Sequence, residues 1–180
     1  MIHPWHDLQP GPNAPEQITA VIEIPSGSRN KYELDKKTGL FHLDRVLYSA
    51  VSYPGDYGLV PRTLHDDGDP LDVLVHVDEP TFPGCQIDVR PLGVLRMLDR
   101  GEPDDKIFGV PTHDPRYDEY SDISSYPQHR LREIEHFFQI YKDLEGRRVE
   151  IIGWEGSTAA KEIIQRSIAQ YDAEYMRVGP

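Results

Sequence analysis

Residues 66–72 read Asp-Asp-Gly-Asp-Pro-Leu-Asp and continue without a break into Val-Leu-Val-His-Val. Four carboxylates in seven residues thus stand at the edge of a stretch that has to be buried. Two carboxylates about 4 Å apart repel by about 1 kcal/mol in water and by about 4 kcal/mol at an effective dielectric of about 20. Any fold that buries the apolar stretch must tolerate that repulsion or supply a counter-charge. A solvated turn is the plain reading, because Asp, Gly and Pro all favour turns. Three features argue for more. Asp72 falls inside the strand, and Gly68 and Pro70 bend the chain so that Asp67, Asp69 and Asp72 can converge. A second acidic group, LDRGEPDDK (98–106), follows another apolar strand. Two such segments can share one cluster of cations.

Carboxylate oxygens are hard ligands suited to magnesium or calcium. Zinc asks for histidine and cysteine at ligand spacing. The eight histidines are read instead as surface or packing residues, and the single cysteine, Cys85, as a turn residue with no catalytic part. An EF-hand needs alternate ligands over about twelve residues and a closing Glu, a pattern that Pro70 breaks. The phosphate-loop and dinucleotide glycine signatures are absent, as is a serine nucleophile elbow.

The balance of 19 basic against 31 acidic residues leaves a net charge of −12 with histidine neutral. Such a chain repels nucleic acid and anionic membranes at long range, so neither is expected as a partner. No apolar run approaches the ~20 residues that span a bilayer, and the N-terminus shows no basic-then-apolar leader. One cysteine suits a reducing compartment. The cytoplasm is the expected location.

Without repeats or linker-like boundaries, 180 residues are expected to form one domain, 1–180. Residues 1–17, with prolines at 4, 10, 12 and 15, should lie as an irregular arm. ITAVIEI (18–24) alternates like a half-buried strand, with Ile18, Ala20, Ile22 and Ile24 on one face and Glu23 on the other. KYELD and LFHLDRV read as a hairpin with Gly39 in the turn. YPGDYGLVP (53–61) is expected as an ordered loop, since Pro and Gly punctuate it. DVLVHV, IDVRPLGVLRML, KIFGV and RRVEIIGW are further strands, and Pro91 makes its strand an edge or a bulged one. One helix is predicted from Pro127, with Leu131, Ile134, Phe138 and Tyr141 on its apolar face and Gly146 as the stop. A second starts near Ser157 as N-cap and carries Ala160, Ile164, Ile168, Tyr171 and Tyr175. Many short strands followed by two helices suggest a small closed or partly closed barrel.

If cations sit on the aspartates, isolated basic residues at strand ends could hold an anion beside them. Lys31, Arg45, Lys106 and Lys142 are the candidates, with the hydroxyls of Tyr53, Tyr57 and Tyr141. Taken singly, each is a surface, snorkelling or core residue. Taken together they form a donor set suited to phosphate oxygens.

In order along the chain, IEIP…KYELD, YPGDYGLVP, DGDPLD, D…DDK and HFFQIYKDLE resemble the motifs of the soluble magnesium-dependent inorganic pyrophosphatases, family I, in their bacterial and archaeal form. The resemblance runs from about residue 16 to the second helix. It implies a mainly β fold with α, an OB-fold-like five-stranded β-barrel with flanking strands and two helices, and a site at the barrel's mouth. It also implies hydrolysis of pyrophosphate to two phosphates by attack of metal-activated water, with several Mg2+ ions per site. Asp67, Asp72 and Asp104 are the implied core metal ligands, with Asp72 bridging two ions, and Asp99 and Glu23 serve further metals. Spacing to Lys106 selects Asp104 over Asp105. Asp69 is implied as base or orienter of the attacking water near Tyr57, with Asp104 as the other candidate for the base. Lys31, Arg45, Tyr57, Tyr141 and Lys142 are implied to hold the phosphates, helped by Lys106, with Glu33 and Tyr53 in a supporting shell. A cation at Arg100 is expected to weaken a metal at Asp99. Assembly as a homohexamer, a dimer of trimers, is implied, with His136 near subunit contacts.

Overall fold

In the computed structural model, which describes residues 2–176, the alternating stretch becomes β1, Ile18–Ile24. All of its residues but Thr19 are buried, because it has neighbours on both edges. Its first half pairs antiparallel with β6 (Gln86–Asp99) and its second half with β4 (Asp56–Leu59). From there β4 pairs with β5 (Asp72–Val75), β5 runs parallel to β8 (Lys106–Pro111), and β8 returns antiparallel to β6. These five strands close a ring, as the resemblance implies. The hairpin of β2 (Asn30–Leu34) and β3 (Phe41–Val46) stands as a separate two-stranded sheet, while β7 (Glu102–Pro103) and β9 (Val149–Gly156) extend from β6.

Strand β4 corrects the loop expected over residues 53–61. Gly58 is what allows it: a Cβ there would meet the Val21 carbonyl oxygen at 2.0 Å, so only glycine lets β4 lie this close to β1. Gly55 and Gly58, which read as loop signals, serve close backbone approach. Pro91 sits at a bulge between Pro91 and Gly93 in the β6–β8 pairing, as a proline inside a sheet requires.

Alternate residues of β5 and β8 enter two cores. Leu74 and Phe108 pack with Leu131, Ile134 and Phe138 of α1 (Gln128–Ile140). Val73, Val75 and Ile107 pack with Ala160, Ile163 and Ile164 of α2 (Ser157–Tyr175). Each buried Val, Leu, Ile or Phe side chain among them stabilises the fold by about 1.5–3 kcal/mol. The helix starts differ slightly from expectation. Pro127 is the N-cap of α1, and Gly146, at φ +70°, ends the short 3-10 turn Asp143–Glu145 that follows it. Ser157 is the first residue of α2, not its cap. Its N–H donates to the Asp122 carboxylate at 2.7 Å, so a distant residue satisfies that helix end. Tyr175, expected on the apolar face, is 46 % exposed and lies in an aromatic group with Trp5, His6 and Tyr171.

Residues 2–17 hold no helix or strand apart from one isolated bridge, Asn13 to Gln17. The arm is nevertheless anchored. Trp5 is buried with Val21, Leu34, Leu59 and Tyr171, and its indole N–H donates to the Thr63 carbonyl at 2.8 Å. His3 and His6, three residues apart, pack beside it; Nδ1 of His6 lies 2.6 Å from the Tyr171 hydroxyl. No helix among the described residues is long and apolar enough to cross a membrane.

Candidate active site

The parallel pairing of β5 and β8 places Asp72 opposite Lys106, each the first residue of its strand. Asp99 ends β6 and Glu102 begins β7, so the second acidic segment turns at the same edge of the ring. The β2–β3 hairpin and the segment after α1 close over this edge. Between them lies a cavity of about 460 Å³. It is lined by Glu23, Lys31, Glu33, Arg45, Tyr57, Asp67, Asp69, Asp72, Asp99, Asp104, Lys106, Tyr141 and Lys142. Of the expected site residues only Tyr53 does not line it; its ring packs behind in tilted contacts, 5.3 Å from Tyr57 and 4.8 Å from Phe137. Asp105, adjacent to Asp104, does not line the cavity either.

Charge is distributed by element. Except for Glu33 on the hairpin, the carboxylates come from the ring and its β7 extension. Except for Lys106, the cations come from the hairpin and the segment after α1. Lys106 is buried between Asp72 and Asp104, bonded to each at 2.5 Å. Burial works against its charge, but the two carboxylates outweigh it and hold its pKa above the ordinary lysine value. Lys142 donates to Asp99 at 2.8 Å, and Lys31 bonds Glu33. Arg45 donates through Nε to Glu145 at 2.9 Å.

Several polar groups keep capacity beyond these pairs. Asp99 Oδ1 and Arg45 Nη2 are buried without a protein partner, one an acceptor and the other a donor. Glu23 accepts one hydrogen bond, from the Leu34 N–H at 2.8 Å; burial and the nearby Asp72 charge raise its pKa to about 8. Asp67, at the exposed lip of the cavity, is raised to about 6 by partial burial and by Asp72. Burial raises Tyr53, Tyr57 and Tyr141 well above ordinary tyrosine values, so their hydroxyls stay protonated as donors. Among the described residues no three His, Cys, Asp or Glu side chains already converge as a metal cage. The donor set still fits a hard cation: it is all carboxylate, mutually repelling, and includes an unpartnered buried oxygen.

Four further polar lining residues were not foreseen: Tyr32, Lys36, Glu102 and Arg147. Lys36 bonds Asp69 and lies 5.9 Å from the Trp5 ring centroid. In sequence it is one of two lysines in a turn, and only the anchored arm distinguishes it. Arg147 follows the Gly146 stop, a position with no sequence signal of its own. Arg100 is exposed in the β6–β7 turn and is absent from the cavity lining.

A family profile described as Inorganic pyrophosphatase matches residues 20–172. An inorganic pyrophosphatase of Geobacillus stearothermophilus is 56% identical over 157 residues, 87% of this chain and 95% of the relative. One of Haloferax volcanii is 50% identical over 176 residues, 97% of this chain and 99% of the relative. The crystal structure of inorganic pyrophosphatase from Thermus thermophilus superposes with a TM-score of 0.91 at 44% identity, covering 96% of this chain and 99% of that one.

Proposed function

Because this chain belongs to the inorganic pyrophosphatase family and is thereby a diphosphatase that hydrolyses pyrophosphate to two phosphates, we propose that the cavity at the ring edge is its active site. Asp67, Asp72 and Asp104 would hold the divalent cations on which the family depends, with Asp99 and Glu23 as ligands of further ions. Bound there, such cations neutralise the carboxylates, draw in the anionic substrate and lower the pKa of water.

The chain's own groups do the rest. Lys31, Arg45 and Lys142 bind the phosphate oxygens through charge-assisted hydrogen bonds, and the protonated Tyr57 and Tyr141 hydroxyls donate to them. Lys106, fixed between Asp72 and Asp104, stabilises charge as the bridging P–O bond breaks. Asp69 accepts or orients the proton of the attacking water, with Asp104 as the other acceptor in reach of the cavity. Glu33 orients Lys31, and Tyr53 supports Tyr57 from behind. The unpartnered Arg45 Nη2 donor in the same cavity as the unpartnered Asp99 Oδ1 carries this reading: one wall wants an anion and the other a cation.

Magnesium is the cation we assign, on hard-oxygen chemistry. We assign residues 1–180 to one domain, the cytoplasm as compartment and a dimer of trimers as assembly. The test is phosphate release across magnesium concentrations, with pyrophosphate and ATP side by side and calcium as control. Release from pyrophosphate with magnesium, little from ATP and none with calcium is expected; equal turnover of ATP would overturn the small-substrate assignment, and turnover with calcium the metal assignment.

A further inference from the structure

Both acidic segments contain an aspartate doublet, Asp66-Asp67 and Asp104-Asp105, and only one member of each lines the cavity. The other members are tethered away from it. Asp66 accepts from Gln170 Nε2 of α2 at 2.9 Å. Asp105, 2 % exposed, accepts from Arg96 Nε of β6 at 2.9 Å and faces Nε2 of His65, 4 % exposed, at 3.7 Å. That last separation is longer than a hydrogen bond. Both ring nitrogens of His65 and Oδ2 of Asp105 are buried without a protein partner. An apolar pair would fill the space without unpaired buried atoms, each of which costs about 1–3 kcal/mol. Packing alone therefore does not account for these residues.

Their positions do. His65 closes the acidic loop with its backbone: its N–H donates to the Asp69 carbonyl at 2.8 Å and its carbonyl accepts from Gly68 at 3.0 Å. Asp105 stands between Asp104 and Lys106 at the entry to β8, where successive side chains of an extended chain point to opposite faces. Anchoring Asp105 inward aims both neighbours into the cavity. We infer that Asp105, held by the partly exposed Arg96 and facing the buried His65 across 3.7 Å, forms with them a brace that sets the spacing between the two acidic segments and so the cation affinity of the site. None of the three lines the cavity, so they are positioning residues. The inference rests on the reading of Asp67, Asp72 and Asp104 as cation-holding groups.

The test is calorimetric titration of the metal-stripped full chain with Mg2+ alone, alongside thermal unfolding in chelator. Asp105→Asn and Arg96→Gln are each expected to weaken Mg2+ binding by about tenfold or more, the usual effect of losing a group that orients metal ligands. Arg96→Gln leaves the buried carboxylate in place and serves if Asp105→Asn does not fold. A lowered unfolding temperature in chelator with unchanged Mg2+ affinity would mean an ordinary structural contact and overturn the brace. Asp72→Asn separates the two readings. If it weakens Mg2+ binding while both brace variants keep full affinity, the brace alone is wrong; if it has no effect, the cation site and the brace fall together.

Discussion

At the scale of single residues, the site is made of groups whose charges are costly alone. Asp69 shows how little its side chain is tied to the fold's stability: its carboxylate and the Lys36 ammonium are both about half exposed, and exposed pairs contribute little to stability. Removing its charge should therefore spare the fold. Asp69→Asn is expected to lower kcat by about 10²–10⁴-fold, the range for losing a positioned acid–base group, while the magnesium titration and unfolding curve stay close to those of the unaltered chain. Steady-state kinetics with a parallel denaturation curve checks this, and an unchanged kcat would pass the base role to Asp104.

At the scale of elements, turns and strapped segments decide how well the cavity walls are held. The β6–β7 connection has two residues, Arg100 at φ +55° and Gly101 at φ +85°, the backbone of a type I′ hairpin turn. Glycine suits that conformation and arginine does not; asparagine does. Arg100→Asn should raise stability by up to about 1 kcal/mol in chemical denaturation without altering turnover, since Arg100 lies outside the cavity. The N-terminal arm is the opposite case, irregular in backbone yet held through one buried indole. Trp5→Ala should cost about 3–5 kcal/mol, read from the same denaturation curve. A smaller loss would show that the arm is not held by that side chain.

At the scale of the whole molecule, the buried carboxylates couple stability to pH and to cations. Glu23 ordinarily titrates near 4.5 and is raised to about 8 in the fold, so the folded chain keeps a proton that the unfolded chain releases. Between those values each rise in pH favours the unfolded state, and the stability of the metal-free protein should fall as pH climbs from about 4.5 to about 8. Divalent cations that bind the folded site should reverse the loss, by about 2.7 kcal/mol when present at a hundredfold excess over Kd. Thermal unfolding from pH 5 to 8, with and without magnesium, measures both; a pH-independent melting temperature in chelator would remove Glu23 from this role.

What a linear chain can state by itself is chemistry and periodicity. Asp67, Asp69 and Asp72 crowd one turn, Asp104 lies two residues before Lys106, and Ile18 to Ile24 alternates; each of these is a local fact, legible because ligand chemistry and strand pleating depend on near neighbours. Asp99 and Lys142, or Asp72 and Lys106, become pairs only through strand register and chain closure, which local pattern does not encode. The same holds for β4, read as a loop because the need for Gly58 lies in the Val21 carbonyl 37 residues away in sequence. It holds again for Lys36, whose place over Asp69 depends on an arm with no regular structure. Residue type thus set which reaction the chain could support. Long-range packing, where backbone groups must meet across the ring without clashing, decided which of those residues face one another.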